Sequence, residues 1–505
     1  MTSRGAALLL AGGVLAAAMG SASAQVPSPT IEGPIDVGNP FVAGTTFDLA
    51  AVGYVQEEYF IAGTASAYTA PAPLASDGHW TVTAGATAPY KTRLLIYRPA
   101  KKSRFKGTVV AEWLNVSGGL DSAPDWITGH VEMIRSGMIW VGVSVQFVGI
   151  EGGAGGFVSL PLKSVNPPRY GTLSHPGDSF SYDIWSQAGQ AIRDMSGTER
   201  LGGFAVKRLL AIGESQSAFR LTTYVNAVHP LARVYDGFLI HSRGDDGAPL
   251  SQAPQPVVPA PSPTLLRTDL DVPVLTFQTE TDVIALGSLA SRQPDTDGLR
   301  LWEVAGTAHA DVYTLFSGWS DVGDSPDVAG IVVTDSPIPG IIQCALPINA
   351  GPQHFVLKAA LVALDRWVRR GKAPRPAPLL EVTGGDAPAF VLDEHGNVRG
   401  GIRTPWLDVP VATLSGLGQT GAAFCRLFGT TTPFDQATLA ALYPTQRTFR
   451  RAFTKATKRA ARQGFVGRRD ATLIRTWART ADVTTMFGSP SGAFVAAATD
   501  GVTRH

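Results

Sequence analysis

The residues that could do chemistry gather at Gly213-Glu-Ser-Gln-Ser217, where the apolar run Leu210-Ala-Ile212 ends and a helix-compatible run begins. This is the G-x-S-x-G pattern of a nucleophilic serine on a sharp strand-to-helix turn, with a serine in the last place. Small residues are needed two before and two after Ser215, because the turn presses strand and helix backbones together while the serine takes up strained φ/ψ. A serine hydroxyl is a weak nucleophile by itself. It needs a base to take its proton and an acid to orient that base.

Both follow in chain order. Val272-Pro-Val-Leu-Thr-Phe-Gln-Thr-Glu-Thr-Asp282 ends in two acids, and Leu299-Arg-Leu-Trp-Glu-Val304 leads into Ala305-Gly-Thr-Ala-His309. Of nine histidines, only His309 stands in a glycine-containing turn after the last core-like strand, so it is the expected base. His241 and His175 are its rivals, and either could instead line the pocket. Asp282 is the expected acid and Glu280 the alternative. An oxyanion needs two backbone N–H groups aimed at it. One is expected from Gln216 and the other from Glu112-Trp-Leu-Asn-Val-Ser-Gly-Gly119, at Val116 or Asn115. Substrate contacts are expected from Asn115, Tyr170 and His241. The flanking stretches 115–126 and 149–178, with the chain just before 115, add Trp113, Trp126, Phe147 and His175, of which Trp113 suits the core equally well.

These groups need a scaffold that brings them to one edge. Thr108 to Leu114, Met138 to Val145, Arg208 to Ile212, Gly237 to Ile240, Val272 to Phe277 and Leu299 to Val304 are short, nearly continuous apolar runs separated by longer stretches with helical patterning. Such runs suit strands buried on both faces, hence a mostly parallel sheet flanked by helices, an α/β fold. Ligands in such sheets bind at the carboxyl ends of the strands, where serine, acid and histidine would all lie. Asp183 to Met195 and Phe355 to Arg370 are candidate helices, and period-2 patterning such as Thr92 to Arg98 predicts antiparallel strands within 40–101. Residues 149–178 read as a long, lid-like insertion. Residues 247–268, with six prolines, read as an extended stiff spacer.

Composition bounds the rest. The 505 residues are 44% hydrophobic and 16% charged, with 42 Lys+Arg against 41 Asp+Glu, which excludes disorder, a coiled coil and a nucleic-acid polyelectrolyte. Residues 1–24, with Arg4, an apolar stretch from Ala6 to Met19 and Ala22-Ser-Ala24, are laid out as a secretory leader cleaved after Ala24, so the mature chain is expected to be secreted or periplasmic. Cys344 and Cys425 could then form one bridge, or stay as two buried thiols. The expected organisation is a core over 40–380 with insertions at 149–178 and 247–268, an extension over 381–482 and a tail over 483–505. From Arg447 to Asp482 the extension carries eleven Lys/Arg against two acids, leaving 31 basic against 39 acidic residues elsewhere. This basic helical segment is either a solvated face or a surface for a polyanion. No H-E-x-x-H, Cys/His cluster or EF-hand spacing occurs, and Gly152-Gly-Ala-Gly-Gly156 lacks the dinucleotide fingerprint, so neither metal nor cofactor is expected.

With these motifs the chain resembles the α/β-hydrolase superfamily, and more closely the bacterial group described as α/β hydrolase domain-containing proteins. The resemblance rests on Glu112-Trp-Leu-Asn-Val-Ser-Gly-Gly119, Arg169-Tyr-Gly171, His175-Pro-Gly-Asp178, Gly213-Glu-Ser-Gln-Ser217, Gln278-Thr-Glu-Thr-Asp282 and Gly306-Thr-Ala-His309, and runs over about residues 40 to 480. It implies a serine hydrolase acting on esters. The composition argues against a nucleic-acid partner, and with no apolar run of the roughly 20 residues that span a bilayer, no stable membrane insertion is expected. An acyltransferase, an amidase or peptidase, and a non-catalytic binding module of the same fold are the alternatives.

Overall fold

The computed structural model describes residues 26–153, 156–338, 340–483 and 486. Strands β1 (Thr30–Glu32), β2 (Tyr54–Thr69), β3 (Thr83–Pro99), β4 (Thr108–Trp113), β5 (Ile139–Val143), β6 (Arg208–Glu214), β7 (Gly237–His241), β8 (Val274–Thr279) and β9 (Leu299–Val304) form one sheet. Their order is β1-β2-β3-β5-β4-β6-β7-β8-β9. The first three strands and the β3–β5 pair are antiparallel. From β5 to β9 every pairing is parallel.

Alternation along each strand explains why the runs are continuously apolar. Val109 and Ala111 of β4, Leu209 and Ala211 of β6, and Phe238 and Ile240 of β7 face one core, while Val110, Leu210, Ile212 and Leu239 face another. Helices must therefore cover both sides. Helix α1 (Pro124–Ser136) brings Trp126 and Met133 to the second core, and α2 (Ser181–Asp194) and α3 (Gln216–Thr223) bring Trp185, Ile192, Ala218 and Leu221 to the first. After the short helix α4 (Glu280–Ile284), helix α5 (Gln353–Arg370) lays Leu357, Leu361, Leu364 and Trp367 on the second. Each such side chain, fully buried, contributes about 1.5–3 kcal/mol of transfer free energy.

The chain beyond α5 is not a separate body. Ile402 bridges to Val304 at the end of β9, and Phe355 of α5 stacks on Trp406. Helices α6 (Gln446–Gln463) and α7 (Arg468–Thr480) turn Phe449, Phe453, Ile474 and Trp477 into that same cluster. Arg447, Arg450, Arg451, Lys455, Lys458 and Arg462 lie exposed on α6, and Arg459 pairs with Asp408. A small ladder of β10 (Ala412–Ser415) and β11 (Thr430–Pro433) carries the loop that includes Cys425. The leader-like residues 1–24 and most of the tail lie outside the described residues. No helix among the described residues is long and apolar enough to cross a membrane.

The insertion at 149–178 is more ordered than its lack of periodicity implies. It holds three short helical turns, Phe147–Glu151, Leu162–Val165 and Pro167–Tyr170, the last of which is held by a buried ionic network through Arg169 and Tyr170. Arg93 donates to Glu58 and Asp121, both at 2.9 Å, and Arg169 donates to the other oxygen of Glu58 at 2.5 Å. All four side chains are almost wholly excluded from water. Removing one partner would strand a buried charge, which typically costs about 3–5 kcal/mol.

Cys344 and Cys425 are joined, with their Cα atoms 5.6 Å apart and their positions 81 apart in sequence. Closing a loop of that length is worth roughly 4.5 kcal/mol on the chain-entropy account. Denaturant titration of the Cys344→Ser/Cys425→Ser variant should show a loss of a few kcal/mol. Non-reducing peptide mapping of the wild type should recover one linked pair; two freely alkylated thiols in denatured, unreduced protein would contradict it.

Candidate active site

Strand β6 ends at Glu214 and α3 begins at Gln216, so Ser215 alone makes the turn, at φ 57° and ψ −123°. A side-chain-bearing residue adopts this left-handed conformation only under constraint. The constraint is visible on both sides. A Cβ at Gly213 would lie 3.0 Å from the Cβ of Ser217, so the strand and helix touch there. Ser217, buried and small, fits in glycine's usual place without displacing the turn. The Ser215 N–H donates to the His241 carbonyl at 2.9 Å, and its own carbonyl accepts from Ala218 and Phe219. Its hydroxyl is left free to point away from the sheet.

His309 meets that hydroxyl. Its Nε2 lies 2.7 Å from Ser215 Oγ and its Nδ1 lies 2.6 Å from Asp282 Oδ1. The partners assign the tautomer: Nδ1–H donates to the carboxylate and Nε2 accepts from the serine. The second oxygen of Asp282 accepts from the Thr279 N–H at 2.6 Å and the Thr279 hydroxyl at 2.8 Å, a reciprocal cap on the first turn of α4. Asp282 is thereby fixed from behind, with one oxygen free for the imidazole.

Glu280 is spent elsewhere. Its carboxylate accepts from the N–H of Gly306 at 2.5 Å and of Gly416 at 2.8 Å, and burial lifts its pKa to about 7. It braces the turn that carries His309 and does not touch the imidazole. Glu214, unassigned by the sequence reading although it precedes the nucleophile, supplies a further carboxylate, with Oε1 3.4 Å from His309 Nε2. Burial raises Glu214 to about 7 against the pull of His309 and His241. For His309, burial works against the proton, but the charge and hydrogen bond of Asp282 and then the charge of Glu214 outweigh it and hold the pKa above the ordinary 6.5.

The rival histidines are occupied. His241 Nδ1 pairs with Asp125 at 2.8 Å, and burial lowers its pKa to about 4. It reaches Ser215 through its backbone carbonyl, so it supports the turn from below. His175 uses both ring nitrogens, one toward the Val145 carbonyl at 3.0 Å and one toward the Gly177 N–H at 3.2 Å.

Gln216, as the first residue of α3, has an N–H with no partner inside the helix, directly beside the nucleophile. The β4 exit loop reaches the same place because Asn115 Nδ2 donates to the Glu214 carbonyl at 3.1 Å and to its carboxylate at 3.3 Å. Asn115 is therefore a tie between loop and turn, and Val116 follows it in the chain. Tyr170, expected at the pocket, is instead fully buried in the ionic network, its hydroxyl 3.1 Å from both Glu58 and Arg93. Trp113 and Trp126 are also core, donating to Gln146 and Thr45. Their burial follows from long-range pairing that local pattern does not carry. Phe147 remains 40% exposed just before the insertion.

A family model described as an alpha/beta hydrolase domain matches residues 25–476, and the chain belongs to that family. Among solved structures it is similar to a glucuronoyl esterase from Solibacter usitatus, at 12% identity and TM-score 0.26, covering 50% of this chain and 76% of that one. A CE15 glucuronoyl esterase from Teredinibacter turnerae T7901 is 12% identical at TM-score 0.28, covering 55% and 74%. The methylesterase BT1017 is 14% identical at TM-score 0.28, covering 52% and 47%. No curated protein sequence matches the chain.

The carboxylate of Glu214 makes a test of the electrostatics possible without substrate. Glu214→Gln removes a negative charge facing His309, so the His309 titration midpoint, followed by NMR, should move to lower pH. An unchanged or higher midpoint would contradict the arrangement.

Proposed function

We propose that the protein is a serine hydrolase of carboxylic esters that works outside the cytoplasm. The observation that carries this reading is the run of hydrogen bonds from Ser215 Oγ through His309 to Asp282, 2.7 and 2.6 Å, set on a strained strand-to-helix turn. A hydroxyl, an imidazole and a carboxylate so aligned have acyl transfer as their chemistry. The leader-like layout of 1–24 and the Cys344–Cys425 bridge support an oxidising compartment.

In the first half-reaction Ser215 Oγ bonds to the ester carbonyl carbon as its proton passes to His309 Nε2. The carbonyl oxygen takes up negative charge and rests on the N–H groups of Gln216 and Val116. Collapse breaks the ester C–O bond, and the departing oxygen takes the proton from His309 to leave as an alcohol. Water then gives a proton to His309 and bonds to the acyl carbon; Ser215 leaves, regains that proton, and the carboxylic acid is released. Asp282 holds the ring and, with Glu214, steadies its charged form. Phe147, left exposed at the foot of the insertion, suits uncharged alkyl and aryl groups.

A fluorophosphonate probe should label the wild type at Ser215 and leave Ser215→Ala unlabelled. Purified protein should hydrolyse short- to medium-chain alkyl or aryl esters, and an amidase or phosphoesterase activity without esterase activity would overturn the reading. Asp282→Asn should lower kcat by about 10⁴-fold, and Glu280→Gln much less; the reverse ranking would hand the acid's role to Glu280. Since His309 must be unprotonated to accept the serine proton, kcat/KM should rise with pH through a midpoint above 6.5. A midpoint below that would remove Asp282 and Glu214 from the account.

A further inference from the structure

Two loops from distant parts of the chain flank the triad. On one side lies the β4 exit loop, which carries Val116. Residues 156–160 of the insertion are laid on it, with the Val158 N–H donating to the Gly118 carbonyl at 3.2 Å and the Leu160 N–H to the Gly119 carbonyl at 3.0 Å. The contact is so close that a Cβ at Gly119 would stand 1.8 Å from the Val158 carbonyl oxygen. On the other side lies the turn of His309. There the Ala310 N–H donates to the Leu427 carbonyl at 3.3 Å, and a Cβ at Gly429 would stand 2.9 Å from that of Ala308. The segment 424–429 is thus seated on the base's loop, and Cys425 pins it to Cys344.

The two sides are joined by one aromatic contact. Phe157 and Phe424 meet in a tilted contact, with ring centroids 3.8 Å apart and planes 37° from parallel. Phe157 is 42% exposed and belongs to none of the buried clusters, so core packing does not account for it. An exposed aromatic in contact with a ring carried by the loop of the opposite wall limits what can stand between the two walls.

We propose that the Phe157–Phe424 pair is a specificity-determining clasp that keeps the site to short- to medium-chain alkyl and single-ring aryl esters by excluding bulkier groups, and that the disulfide holds its Phe424 half in place. The proposal rests on the reading of Ser215 as the nucleophile. Phe157 and Phe424 take no part in bond making, so their removal changes which substrate enters without changing the relay. Because both rings are needed for one clasp, losing either opens it and losing the second adds nothing.

The test compares small and bulky organophosphonates for their rates of labelling Ser215, alongside kcat/KM for an acetyl ester and a bulky aryl ester. Phe157→Ala, Phe424→Ala and the double variant should each raise the bulky-to-small ratio by about tenfold, by the same amount in all three, with acetyl-ester kcat/KM within about twofold of wild type. Cys344→Ser/Cys425→Ser, measured well below its melting temperature, should shift the ratio in the same direction. Unchanged ratios in Phe157→Ala, whose exposed position keeps the fold intact, or additive effects in the double variant, would overturn the clasp. If the small probe fails to label the wild type, it is the reading of Ser215 that falls.

Discussion

The backbone of Ser215 is the constraint on which the site depends. A φ of 57° in a residue with a side chain carries strain of about 1–3 kcal/mol. The surrounding structure over-determines it. Parallel pairing of β6 with β4 and β7 fixes where the strand ends, Gly213 and Ser217 let the helix come close, and the His241 carbonyl receives the Ser215 N–H. The same turn leaves the Ser215 hydroxyl to His309 and sets the first residue of α3, Gln216, directly after it.

Three buried carboxylates stand around one imidazole, and their partners divide the work. Asp282 has one oxygen saturated by Thr279 and offers the other to His309. Glu280 is saturated by backbone N–H groups on both oxygens and so shapes the turn instead of the proton's path. Glu214 keeps one oxygen toward Asn115 and the other toward His309 Nε2, where it adds negative potential on the side of the ring that faces the serine. Identity as an acid does not separate these roles; hydrogen-bond saturation does. Burial is the largest cause that lifts both Glu214 and Glu280, each to about 7, so geometry distinguishes the one that faces the imidazole.

Much of this is legible in the residue order because the α/β scaffold converts sequence position into spatial position. Continuous apolar runs mark the parallel strands, with β9 read at its observed bounds, and strand ends in one sheet share an edge, so serine, acid and histidine had to converge. What resists reading are pairings without a local signature. Arg93 meets Glu58 and Asp121 across 35 and 28 residues, and Arg169 meets Glu58 across 111. That network draws Tyr170 inward, where its sequence neighbourhood suggested an open loop. Trp126 lies on α1, a helix hidden by its Pro, Asp and Gly residues. Phe157 and Phe424 are 267 positions apart, and nothing in either neighbourhood announces the other.

The most direct test of the central claim is a crystal structure of the protein after reaction with a small organophosphonate. The account predicts phosphorus bonded to Ser215 Oγ, with the phosphoryl oxygen about 2.7–3.1 Å from the N–H groups of Gln216 and Val116, and His309 still paired with Asp282. An adduct on another residue, or a phosphoryl oxygen turned away from both amides, would contradict it.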